Sequence, residues 1–242
     1  MRFGVRSMQK YSDPLGSRVD ILSGGTLVYV LKIRFNYCYL IVNREARQAI
    51  VVDPAWDAAL MEKILRHEGV GLSGVVVTHS HFDHMHLANT FSREHDCPVF
   101  MSQEEADFYR VSFNHLLHLR HGMSTCVAGM TVQPFLTPGH TRGGICLYVN
   151  GCLFSGDTLF AEGCGVCVGA GADPHMMYHS LRMLRATLPG ATRVYSGHSY
   201  GVAPGASMVD LCQHNIYLNI DSVEQFVQFR MRSGQRSLFD FR

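Results

Sequence analysis

No apolar run in this sequence approaches the roughly 20 residues that a membrane-spanning helix needs, so no membrane association is expected. Charge is sparse and balanced. Charged residues make up 17% of the chain, and the formal net charge is +1 with histidine neutral. That balance gives no global attraction to nucleic acid or acidic lipid, and neither is an expected partner. The sequence also lacks linkers, low-complexity tracts and repeats of fixed period. One domain over residues 1–242 is therefore expected, with a short extension after about residue 218. Met1 to Pro14 holds no apolar stretch, and no secretory signal is read there. The eight cysteines are scattered, mostly inside apolar runs such as Tyr37-Cys38-Tyr39. A chain of this length does not need them as staples, and they read as reduced, mostly buried thiols of a cytoplasmic protein. Cys164-x-x-Cys167 has redox or zinc spacing, but a single pair is a weak signal.

Hydrophobic residues make up 47% of the chain, enough to bury a large core. β-Branched runs at Thr26 to Lys32, Cys38 to Val42 and Ala49 to Val52 predict adjacent antiparallel strands. A helix is expected from about Asp57 to Glu68, ended by Gly69 and Gly71. Val75 to Val77 reads as a buried strand that runs into Thr78-His79, with a second helix starting near His84. Pro98 to Met101 reads as a strand, and Ser102 with Glu105 as a capping box for the helix after it. Three more strands are expected at Met130 to Leu136, Ile145 to Val149 and Cys152 to Phe154. Asp173-Pro174 starts a helix running to about Leu188. Arg193 to Tyr195 is the last clear strand. His115, His118 and His121 recur every three residues, which reads as one polar face of a helix. Two packed sheets with helices outside, or one doubly wound sheet, would both fit this pattern.

Histidine is the compositional outlier, with 14 copies. Four potential metal ligands, His79, His81, Asp83 and His84, follow one buried strand directly. A loop at a strand end is where functional groups usually sit. His79 and His81 point the same way in an extended segment, while Asp83 and His84 can face a second point. That arrangement suits two metals about 3.5–4 Å apart. His140, Asp157 and His198 each stand just past another strand, each with a glycine immediately before it. A lone histidine is ordinarily structural. Seven such residues at strand ends are far harder to explain that way. Nitrogen and carboxylate ligands without thiolate suit two divalent ions, zinc foremost, with iron or manganese as alternatives.

The order His-x-His-x-Asp-His, then His, Asp and His, resembles the metallo-β-lactamase superfamily from about Thr26 to Leu218. The resemblance implies an α/β four-layer αβ/βα sandwich with the metals at one edge between the sheets. It also implies that His79, His81 and His140 hold one metal. Asp83, His84 and His198 would hold the other, with Asp157 bridging and Asp83 and Asp157 as the catalytic carboxylates. Asp53 matches a family acidic residue that supports the site from behind. Gly156 to Phe160, Gly163-Cys164-Gly165 and Thr192 to Tyr200 resemble the glyoxalase II thioester hydrolases in particular.

Three departures qualify that likeness. Val166 stands where glyoxalase II proteins usually carry a basic glutathione-binding residue, and His86-Leu87 replaces a Gly-Gly pair. The 44 residues after His198 are also few for a glutathione-binding helical domain. Tyr200 is retained as an expected substrate contact. The ending is similar to the discrete acyl hydrolases of bacterial polyketide synthases, which act on acyl groups held by carrier proteins. That likeness makes Arg230, Arg232 and Arg236 candidate contacts for an acyl carrier protein or its phosphopantetheine arm. A solvated face of a terminal helix is the plainer reading of these arginines. The expected activity is hydrolysis of an acyl thioester. The alternatives are glyoxalase II, a mononuclear iron persulfide dioxygenase and a metal-stabilised carrier-binding module without turnover.

Overall fold

The structure is a computed structural model, and it describes residues 10–12, 16–22 and 25–233. The first half of the chain forms β1 (Lys10–Ser12), β2 (Arg18–Ile21), β3 (Thr26–Ile33), β4 (Asn36–Asn43) and β5 (Gln48–Val52). Helix α1 (Ala58–Glu68), β6 (Gly71–Val76), α2 (Phe82–Met85), α3 (Ala88–Glu94), β7 (Val99–Ser102), α4 (Gln103–Tyr109) and β8 (Leu116–Leu119) follow. The second half runs β9 (Thr125–Val127), β10 (Met130–Leu136), β11 (Ile145–Val149), β12 (Cys152–Gly156), α5 (Pro174–Thr187) and β13 (Arg193–Ser196). It ends with β14 (Ala206–Ser207), α6 (Met208–His214), α7 (Ile216–Asn219) and α8 (Val223–Arg230).

Local chemistry sets the helix ends. Asp57 caps α1 by accepting from Leu60 N, and Gly69 closes it in the left-handed conformation. Asp173 caps α5, with Pro174 in its first turn. Strands β1 to β8 lie side by side in sequence order in one sheet, and β14-β13-β12-β11-β10-β9 make a second. The pairs β3–β4 and β4–β5 are antiparallel, whereas β5 to β8 pair in parallel.

Period-two patterning explains the layers. Val28, Val30, Tyr39, Ile41, Ile50 and Val52 point from the first sheet into a core shared with Val132, Leu147, Phe154 and Tyr195 of the second. The alternate residues Leu27, Tyr29, Leu40 and Val51 face α1 and α3, through Met61, Ile64 and Phe91. Outside the second sheet, Phe135, Cys146 and Leu153 meet Met177, Leu181 and Leu184 of α5 and Phe226 of α8. The result is helix, sheet, sheet, helix, the four-layer αβ/βα sandwich, and the doubly wound alternative falls.

Three local expectations change. Residues 115–121 are not helical: His118 lies on β8, and the three histidines are exposed. Pairing of β8 with β7 overrides the period of three. The capping box is only half made. Ser102 Oγ accepts from Glu105 N, but the Glu105 carboxylate turns elsewhere. Arg230 is no solvated residue, being 6% exposed with its guanidinium on Tyr217 Oη at 3.0 Å. Arg232 is exposed, and Arg236 lies outside the described residues. All eight cysteines are free, six of them buried.

Candidate metal centre

Parallel pairing of β5 with β6 and of β12 with β13 brings like strand ends to one edge of the sandwich. Asp53 follows β5, His79 and His81 follow β6, Asp157 follows β12 and His198 follows β13. Backbone bonds tie the sheets there, with Ile145 N donating to Thr78 O at 2.9 Å and Tyr37 N to Gly197 O at 2.8 Å.

All seven expected ligands meet at this edge. His81 Nδ1 lies 3.0 Å from His79 Nε2 and 2.9 Å from His140 Nε2. His84 Nε2 lies 3.3 Å from His198 Nε2 and 3.8 Å from Asp83 Oδ2. Asp157 stands between the groups, with Oδ2 3.5 Å from His140 Nε2 and 3.4 Å from His198 Nε2, and Oδ1 3.6 Å from His84 Nε2. A tetrahedral shell with bonds of about 2.0–2.1 Å has edges of about 3.4 Å, comparable to these separations.

The far side of four of the five rings is held by oxygen. His140 Nδ1 donates to Val166 O at 2.7 Å, and His198 Nδ1 to Phe35 O at 2.8 Å. His84 Nδ1 donates to Asp53 Oδ2 at 2.9 Å. Thr78 Oγ1 gives its proton to Asp53 Oδ2 at 2.7 Å, so it accepts from His79 Nδ1 at 3.0 Å. These contacts fix the tautomers that aim a bare nitrogen inward, as metal-ligating histidines require.

Electrostatics agree. Burial holds His79 well below its ordinary value and brings His140 down to about 4, so both stay neutral, the ligating form. Burial opposes ionisation of Asp157, but His198 and His84 outweigh it and hold the carboxyl well below the usual range. Burial likewise opposes charge on His198, yet Asp157 lifts it to about 9. The pocket therefore draws positive charge. Asp157 Oδ1 is buried without a hydrogen-bond partner. This donor set fits a divalent metal centre.

Gly197 is needed for its lack of a side chain. A Cβ there would sit 2.5 Å from His84 Cε1 and 2.6 Å from Asp157 Oδ1.

Residues 31–198 match the family model described as the metallo-beta-lactamase superfamily. The chain belongs to the metallo-beta-lactamase superfamily. Like its superfamily relatives named as hydrolases, it is a metal-dependent hydrolase. It is 41% identical over 207 residues to a probable polyketide biosynthesis zinc-dependent hydrolase, BaeB, of Bacillus velezensis, covering 86% of this chain and 92% of that one. It is 39% identical over 219 residues to the similarly named PksB of Bacillus subtilis, covering 89% and 97%. A hydroxyacylglutathione hydrolase of Alkalilimnicola ehrlichii is 40% identical over 168 residues, covering 69% of this chain and 63% of that protein. Among solved superfamily folds, ETHE1 from Myxococcus xanthus superposes with TM-score 0.73 at 24% identity, covering 98% and 96%.

The remaining expected residues lie around this superfamily centre at different depths. The Tyr200 ring packs on Phe160 with centroids 4.9 Å apart and stacks toward His198 at 6.5 Å. Arg230 and Arg232 converge on Tyr217. Two contributors were not read from sequence. Asn36 Nδ2 donates to Asp83 O and Oδ2, each at 3.0 Å, and its Oδ1 accepts from Trp56 Nε1 at 2.8 Å. Phe35 supplies the carbonyl for His198. Neither carries a local signal, since residues at a turn and at the strand start after it gain their roles only from what the fold lays against them. His86, in place of glycine, has a structural use: its Nε2 accepts from Trp56 N at 3.1 Å. Burial pushes the Cys167 thiol up to about 11 and Cys164 higher still, which argues against a reactive thiol pair.

Proposed function

We propose that this chain is a dinuclear hydrolase of acyl thioesters, acting on acyl groups carried by the phosphopantetheine arm of a carrier protein in polyketide biosynthesis. The observation that carries the reading is the pair of ligand groups facing each other across Asp157. In this reading His79, His81 and His140 would hold one zinc ion, and Asp83, His84 and His198 would hold a second, with Asp157 standing between the two groups. Bound divalent ions at such a seat acidify water and polarise a carbonyl.

The chain's own groups do the rest. Asp53, Val166 O and Phe35 O keep the imidazoles aimed, and Asp157 stays ionised at neutral pH. A thioester suits a site without a dedicated proton donor, because a thiol of pKa about 8.5 departs as thiolate. Tyr200, kept neutral by burial, faces the substrate side of His198. Arg232 is the exposed member of the arginine pair and therefore the better candidate for an anionic carrier surface. Arg230 acts from beneath, through Tyr217.

The carrier-bound substrate is supported by the names and near full-length coverage of the two Bacillus relatives. The hydroxyacylglutathione relatives favour a second reading, hydrolysis of an acyl-glutathione. Against it stands Val166, which presents a backbone carbonyl to His140 and has no cationic side chain for the peptide. Zinc-loaded protein should be assayed with matched acyl-glutathione, acyl-pantetheine and acyl carrier protein. Faster cleavage of the carrier-bound acyl group is the expected result, and preference for acyl-glutathione would overturn it.

A further inference from the structure

Glu105 is wholly buried, and its partners are not those of a helix cap. Its Oε1 accepts from Ser80 N and Ser80 Oγ, both at 2.7 Å. Its Oε2 accepts from Gly143 N at 2.8 Å. Ser80 is the residue between His79 and His81, and Gly143 lies three residues after His140. One carboxylate thus clasps the two loops that deliver His79, His81 and His140, loops from opposite halves of the chain. Ser102, at the end of β7, completes the clasp: its Oγ accepts from Glu105 N at 3.1 Å and donates to Gly143 O. Position 143 admits no side chain, because a Cβ there would lie 2.1 Å from Glu105 N. The other ligand group has separate supports, Asp53 for His84, Asn36 for Asp83 and Phe35 O for His198.

We infer that Glu105 is a positioning residue for one ligand group alone, setting how tightly His79, His81 and His140 together hold a metal ion. This rests on the dinuclear reading above. The chemistry demands a carboxylate. An ionised carboxylate accepts at both oxygens, whereas the amide of glutamine turns one side into a donor, facing either the Ser80 or the Gly143 N–H. The loops would then lose their common anchor while the fold keeps its volume. Outer partners of this kind are typically worth about 10–100-fold in metal affinity.

The test is zinc titration of metal-free wild type, Glu105→Gln and Ser80→Ala against a chromophoric chelator, with thermal unfolding of each metal-free chain. Wild type should take up two equivalents. Glu105→Gln should weaken one by at least about tenfold and leave the other unchanged. Ser80→Ala, which keeps the backbone donor, should weaken the same step by less. Two unchanged equivalents, or two weakened by the same factor, would overturn the assignment. Should Glu105→Gln fail to fold, Ser80→Ala decides: selective weakening of one step supports the role, and no weakening overturns it. A single equivalent in wild type would instead refute the dinuclear reading. Glu105 would then be upheld by weakening of that equivalent at unchanged metal-free stability, and overturned otherwise.

Discussion

Asp53 Oδ2 lies 2.9 Å from His84 Nδ1, and the same carboxylate takes the hydroxyl proton of Thr78 and its backbone N–H, each at 2.7 Å. One buried side chain thereby orients His84 directly and His79 through Thr78, so it touches both ligand groups. Its backbone sits at a φ of 50°, a region that asparagine also tolerates. Asp53→Asn should therefore keep the turn and lose an acceptor. Zinc affinity should fall by about 10–100-fold, read by chelator competition, with far-ultraviolet dichroism unchanged. Wild-type affinity in that variant would show that the orienting bonds do not matter.

Asp157→Ala should reduce turnover to background while the chain stays folded, since Asp157 is the sole described carboxylate facing both His140 and His198. Metal content and steady-state hydrolysis, measured on one preparation, check this. Full activity would refute a role for Asp157 between the two groups.

Gly197→Ala places a methyl group where His84 and Asp157 already are. Overpacking of this kind costs about 1–3 kcal/mol. The strain falls on the ligands themselves, so loss of bound metal should exceed what the fall in thermal midpoint accounts for. A variant with full zinc content and wild-type activity would contradict the close approach.

Glu68 provides a pH-dependent contribution remote from the site. Burial raises its pKa, but hydrogen bonds from Arg44 and Tyr29 outweigh that and leave it lowered. A lowered folded pKa means stability that is present above the unfolded glutamate value and lost as pH falls through the folded one. Arg44→Ala should cost about 0.2–1 kcal/mol near neutral pH. The gap from wild type should close as the solution is acidified below the ordinary glutamate range. Metal-free proteins, melted at a series of pH values, give the comparison, and a gap that widens in acid would reverse the sign.

Parts of this molecule were legible because their causes are local. The caps at Asp57 and Asp173-Pro174 act within one helical turn, and the near-continuous apolar runs of β3 to β5 record strands buried on both faces. The ligand motif was legible for a related reason. A buried strand followed by His-x-His-x-Asp-His has little structural use for so many polar groups at one end.

Glu105 marks the opposite case. In sequence it is the third residue after a capping serine, and the cap needs nothing more than Ser102. Its carboxylate instead reaches Ser80 and Gly143, 25 and 38 residues away. Arg230 likewise reads as a surface residue until the fold lays its guanidinium against Tyr217.

By itself, then, the sequence determined most of the element types, the two-sided burial of the strands and a set of seven candidate metal ligands. Each of these follows from side-chain chemistry and the fixed period of the backbone. Only the tertiary structure decided which oxygen holds each imidazole, which loops Glu105 joins and which arginine meets solvent. Those choices depend on the distance between atoms far apart in the chain, and only the packing of the two sheets sets that distance.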